Sequence, residues 1–300
     1  MPSQFRTASR LVVFLLLVTI GCGGGPAVQL AIPDTPDGTV RVVLDGLVQH
    51  HPEVVWNALP VSFQQDVKDL SRDFADTVDP AVFDRAVAVA RKGVVVLQGK
   101  KGLILSSRYL EQLPIDAVSV DAIWEASVYM LDALLASDLA DLETMREIDV
   151  EALLSTTGTA IMDSAAEMPA ESDETVSFSE RVAVWEQTDV ELLSTDGDRA
   201  EVLLTVPGKE PIEMPMVRIE DRWIPTELST QWPAAVDQAR ARIEMLGSEE
   251  SAQIRVQVLF GIGIVEGFID QIDQMETTEE FDDLVGGVLG NVMATQGGEI

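Results

Sequence analysis

Three side chains hold most of the chemical reach of this sequence: Cys22, its single cysteine, and His50 and His51, its two histidines. A thiolate or a histidine-activated serine would make a nucleophile, and histidine with carboxylates would make a metal site. The spacing argues against each. Adjacent residues of an α-helix point about 100° apart, so His50 and His51 cannot both face one metal ion from a regular helix. They stand just before Pro52, where a helix is expected to end, and a histidine there suits the negative end of the helix dipole. A metal site would have to borrow Glu53 or Asp45, and no HExxH pattern occurs. No G-x-S-x-G elbow is present, and any Ser-His-Asp triad must use one of those two histidines. With 51 acidic residues, a hydrolytic carboxylate pair carries no signal in sequence. We therefore assign no catalytic residue, no cofactor and no metal ligand.

Two glycine-bearing stretches imitate nucleotide sites. "GVVVLQGKK", Gly93 to Lys101, has five residues between its glycines and then two lysines. A phosphate loop needs four, then Lys-Ser or Lys-Thr, so a turn between helices is the better reading. "VQVLFGIGIVEGFID" offers Gly261, Gly263 and Gly267 after an apolar run. A dinucleotide turn needs a βαβ unit around it, and too little chain follows. Ile254, Val258, Val265, Phe268, Ile269 and Ile272 mark a helical face on which the glycines would admit another helix. Alternation at Val256, Val258, Phe260 and Ile262 fits a strand equally, so residues 254–264 stay open between the two. Trp56, Trp124, Trp185, Trp223 and Trp232 are read as core or rim anchors.

Composition sets the setting for these residues. The formal charge is −31, and 46% of residues are hydrophobic, enough for one or two packed cores. Such charge excludes non-specific nucleic-acid binding, which depends on Lys and Arg neutralising phosphates. It also disfavours an anionic membrane surface.

The amino terminus explains the lone cysteine. Arg6 and Arg10 precede ten uncharged, mostly apolar residues, Leu11 to Ile20, in the layout of a secretory signal. The run is too short to span a bilayer. Then comes Thr19-Ile20-Gly21-Cys22, followed by three glycines. Here the chain resembles the bacterial prolipoproteins, whose lipobox ends in an invariant cysteine; Thr19 and Ile20 depart from its commonest form. The resemblance implies cleavage after Gly21 and acylation of Cys22, which would fix an exported protein to a membrane of the cell envelope, periplasm-facing or at the cell surface. Cleavage would remove two arginines and take the charge from −31 to −33. Residues 22–36 then read as a lipidated, flexible tether.

Beyond the tether, residues 37–168 repeat apolar positions at three and four, and several helices with short connections predict a bundle. Asp79 is a natural N-cap and Pro80 a natural first helical residue. Residues 169–176 read as a linker. Residues 177–300 read as an α+β region, with an antiparallel meander over about 188–225 and helices over about 227–246 and 249–295. Asp196-Gly197 marks one hairpin and Glu220-Asp221 another turn. Ala200, Val202, Leu204 and Val206 would share one strand face, and the helix over 227–246 is the nearest candidate to cover the sheet. The fold class is thus α+β, predominantly helical: an amino-terminal bundle, then a small meander packed with carboxyl-terminal helices. Residues 188–226 are similar to the closing hairpins of nuclear-transport-factor-2-like domains, a resemblance that implies a sheet curled around a ligand pocket.

The resemblance implies a lipid-anchored envelope protein, and elimination of the catalytic motifs points to a non-enzymatic role in which it engages another envelope protein. The alternative is a carrier or sensor of a small apolar ligand in a pocket against the meander. The expected partners are the membrane, through Cys22, and an envelope protein, with no nucleic acid.

Overall fold

In a computed structural model the described residues are 31–109, 117–169 and 176–296. The signal peptide, Gly21, Cys22, the tether to residue 30 and residues 170–175 of the linker lie outside them.

The described residues begin with α1 (Pro36–Val48), α2 (Glu53–Ala58) and α3 (Val61–Thr77). Then come α4 (Pro80–Leu105) and α5 (Ala117–Ala136). Asp79 caps α4 by accepting from the amides of Ala81 and Val82, and Pro80 takes its first turn, as the sequence predicts. Residues 93–101 lie inside α4. The expected turn there is therefore corrected: Gly99 has open space around it and the helix runs straight through. Short helices α6 (Leu142–Arg146), α7 (Val150–Leu153) and α8 (Thr159–Glu167) follow, the last two joined by a π-turn at Leu154–Gly158. Helix α9 (Phe178–Glu186) starts in a capping box of Ser177 and Glu180.

The sheet has the order β1-β2-β3-β4, all antiparallel: β1 (Asp189–Asp196), β2 (Arg199–Thr205), β3 (Ile212–Ile219) and β4 (Arg222–Pro225). Gly197, at φ +58°, makes the first turn, and Glu220 and Asp221, at φ +50° and +63°, make the last. Primed turns need those angles to match strand twist. Three long helices complete the chain: α10 (Thr226–Gly247), α11 (Glu249–Gln274) and α12 (Thr278–Gln296). The range 249–295 thus divides at Met275–Thr277. There Thr277 and Glu280 form a second capping box, each side chain meeting the other's amide. Residues 254–264 are helical.

Both sheet faces are packed. Val190, Ala200, Val202, Met216 and Trp223 share one face, and Val40 and Leu44 of α1 lie on them. On the other face, Val217, Ile219 and Ile224 join Trp56, Phe63 and Leu153 of the helical region with Leu228 and Trp232 of α10. Trp232 stacks on Phe63 at 4.3 Å and donates its indole N–H to Asp66.

Charge places the remaining long helices. Of the chain's 20 lysines and arginines, five lie on α4: Arg85, Arg91, Lys92, Lys100 and Lys101. Along α11 the pairs run Arg255 with Asp79, Arg85 with Glu266 and Lys92 with Asp270, and Lys100 ends the series on the carbonyl of Met275. Both numbers rise together, so α4 and α11 lie parallel. Lys101 binds Asp121 and Glu125 of α5, and Arg91 caps α5 at the carbonyl of Leu135. The hydrogen bond to Asp270 first, and its charge with those of Glu266 and Asp273, hold Lys92 above the ordinary lysine range.

The Glu220 carboxylate caps α3 from the β3–β4 turn, accepting from the Ser62 amide at 2.8 Å. That bond and the Ser62 hydroxyl hold Glu220 below the ordinary glutamate value. A depressed folded value gives stabilisation that is full above the ordinary 4.5 and fades as pH falls through the folded value. Ser62 amide protection, relative to its intrinsic exchange rate at each pH, should therefore stay high at pH 5 and fall below the folded value. In Glu220→Ala it should be low at both. Equal Ser62 protection in the variant at pH 5 would remove the cap.

Candidate binding surfaces

The two histidines meet at one corner. His50 adopts φ +59° because it ends α1 in a Schellman motif: its amide donates to Leu47 and that of His51 to Gly46. His50 Nδ1 lies 2.6 Å from Asp163 of α8, and Thr159 donates to the His50 carbonyl. His51 Nδ1 lies 3.1 Å from Glu53, which is only 4% exposed and keeps one carboxylate oxygen without a partner among the described residues. The two rings pair with different carboxylates. Asp45 enters neither pair, and no group of three or more metal-ligating side chains occurs among the described residues. The geometry is that of a clamp holding α1 and α2 against α8.

An apolar cleft of about 420 Å³ lies between α4, α5 and α12. Leu97 and Ile104, Ile123 and Leu131, and Phe281 and Val285 form its three sides, with Trp124 beside Ile123. Among the described residues no lysine, arginine, aspartate or glutamate lines it, and the polar groups there are the hydroxyls of Ser107, Tyr109 and Ser127. At its floor the buried Ser107 hydroxyl donates to Asp282 at 2.5 Å and accepts from the Tyr109 amide, which ties α12 to the end of α4. Nothing in the sequence brings these helices together. The signal present was the spacing of Val120, Ile123, Ser127 and Leu131 on one face of α5.

The second surface is the outer side of α11. Between Arg255 and Glu266 stand ten uncharged residues. Val256, Phe260 and Ile264, one turn apart, are 69%, 71% and 58% exposed and form one arc, whereas Val258 and Val265 fall on the other side, in line with Ile272. The opposite side, through Phe268, Ile269 and Ile272, packs on α4. Gly261 and Gly267 have no atom within 4 Å of where a Cβ would stand. A helix apolar on all sides is normally covered on all sides; here one side is open.

No helix among the described residues is long and apolar enough to cross a membrane. No family model, no curated protein and no solved structure matches this chain.

Proposed function

We propose that this is an exported, lipid-anchored protein of the bacterial cell envelope that works by binding. Cys22 carries the anchor, and the folded body offers the uncharged outer arc of α11 to a helix of another envelope protein. The observation that supports this reading is the arc itself, Val256–Phe260–Ile264, exposed on a chain otherwise dense in carboxylates. An apolar surface of that kind gains free energy when covered, at about 25 cal/mol per Å². The open space at Gly261 and Gly267 lets a second helix approach closely. A formal charge of −31 selects a partner helix that is neutral or basic at its rim.

The test is a mild-detergent pull-down from native membranes with mass spectrometry, using wild type, Cys22→Ala and Phe260→Asp. The wild type should fractionate with membranes and retain a reproducible partner. Cys22→Ala should move to the soluble fraction and lose most of that partner. Phe260→Asp should stay on the membrane and lose it too. A partner set untouched by Phe260→Asp would remove α11 from the interface, and membrane retention of Cys22→Ala would remove the anchor.

A second reading is favoured by the cleft. Its volume of about 420 Å³ falls within the range of ligand pockets, roughly 300–1,000 Å³. A carrier or sensor of an apolar ligand would use it. It lies between helices, on α4, α5 and α12, rather than on the meander.

A further inference from the structure

We propose that the cleft between α4, α5 and α12 takes a single uncharged hydrocarbon chain and rejects the same chain when it ends in a carboxylate. The inference rests on the carrier reading and adds the class of ligand.

Shape argues for a chain. The α5 side is one straight stripe at helical spacing, from Val120 through Ile123 and Ser127 to Leu131. Eleven steps of about 1.5 Å each make it roughly 16 Å long. Phe281 and Val285, one turn apart on α12, face it across the cleft. A long trough with apolar walls fits an extended chain better than a compact ring system, which would leave its ends empty and forfeit wall contacts.

Charge argues for a neutral one. Among the described residues no cation lines the trough. The nearest basic groups are already matched: Arg108 lies 3.6 Å from Asp282, and Lys101 holds both Asp121 and Glu125. Asp282 stands just behind the lining hydroxyl of Ser107, which donates to it, so a carboxylate head would approach a carboxylate whose cation, Arg108, is already engaged. The whole molecule adds a field of the same sign, with a formal charge of −31. Hydroxyls at Tyr109 and Ser127 can instead meet an alcohol or ester head through neutral hydrogen bonds.

The experiment titrates the full chain with dodecanol and with dodecanoate at pH 8, both kept monomeric. Calorimetry gives affinity, and a change in emission that disappears in Trp124→Phe locates the site. Dodecanol should bind at least about tenfold more tightly than dodecanoate, a gap of about 1.4 kcal/mol. Ser127→Phe, which fills the trough, should abolish binding while leaving the circular dichroism and melting curve unchanged. Leu131→Lys, at a half-exposed rim position, should raise dodecanoate affinity at least about tenfold and leave dodecanol within about threefold. Equal affinities for the two chains, both lost in Ser127→Phe, would overturn the selection by charge and leave the carrier reading standing. No binding of either chain, or binding that Ser127→Phe and Trp124→Phe leave untouched, would overturn both.

Discussion

Trp223→Ala should cost about 3–5 kcal/mol of folding free energy, whereas Trp223→Phe should cost less than about 1.5. Trp223 is 4% exposed on β4 and fills the core that Val190, Val202 and Met216 share with Val40 and Leu44 of α1. Alanine would remove the ring and leave a cavity between sheet and helix, with neither side able to close it without leaving the other. Phenylalanine keeps most of the bulk. It also deletes an indole N–H that is buried with no acceptor among the described residues, a burden of about 1–3 kcal/mol. The two substitutions therefore separate packing from polarity at one position. The sheet cannot melt alone, because neighbouring Ile224 points to the opposite face and packs with Trp56, Phe63 and Leu153. Urea unfolding followed by far-ultraviolet circular dichroism and by tryptophan emission should give one coincident midpoint, shifted strongly only in Trp223→Ala. A sheet that lost its structure before the helices, or a phenylalanine variant as weak as the alanine one, would contradict this account of the core.

That core also marks where sequence reasoning reached and where it stopped. Period-two alternation and Gly197 were enough to place the meander, since a buried face and a left-handed turn are both local requirements. Asp79-Pro80 gave the start of α4 for the same reason. The partner of a buried face is not local. Val40 and Leu44 announce that α1 buries one side, yet nothing in their spacing names Trp223, about 180 residues on, as the surface they cover. The helix over 227–246 was legible as a cover because it comes next in the chain, and α10 does lie on one face of β3 and β4, through Leu228 and Trp232 on Val217 and Ile224; the cover of the other face, α1, was not. Local signals were also overlooked. Ser177-x-x-Glu180 and Thr277-x-x-Glu280 are both capping boxes written in the sequence, and the second would have divided 249–295 correctly. The glycines of "GVVVLQGKK" misled in the opposite sense, because glycine lowers helix propensity without forbidding a helix held from two sides by ion pairs. As for the binding surfaces, the cleft needs three helices at once and stayed invisible. The α11 arc was half legible: helical spacing marked the face through Phe268, Ile269 and Ile272 that α4 takes, but not that the side of Val256, Phe260 and Ile264 stays open.

The same glycine question yields the last expected result, in which one substitution at two helical glycines has opposite signs. Gly158→Ala should destabilise the protein by about 1–3 kcal/mol, and Gly99→Ala should stabilise it by about 0.5–1. Both backbones are helical, so both alanines gain by restricting the unfolded chain. Space decides between them. Around Gly99 nothing lies within 4 Å of a new Cβ. At Gly158 the Cβ would stand 2.3 Å from Cγ of Pro52, far inside van der Waals contact. A flexible side chain at that place would swing away, but a proline ring is closed on its own backbone, and Pro52 is fully buried. Moving it means moving the corner. On one side Gly46 already admits Val54 so closely that its own Cβ would meet Cγ1 of that valine at 2.5 Å. On the other, Thr159 and Asp163 grip the His50 carbonyl and ring. Relief of the clash therefore has to break the clamp between α1 and α8, so that Gly158→Ala loses more than local packing, and its melting temperature should fall while that of Gly99→Ala rises. If the two variants shift in the same direction, helix propensity outweighs contact at the corner, and the clamp is looser than its distances imply.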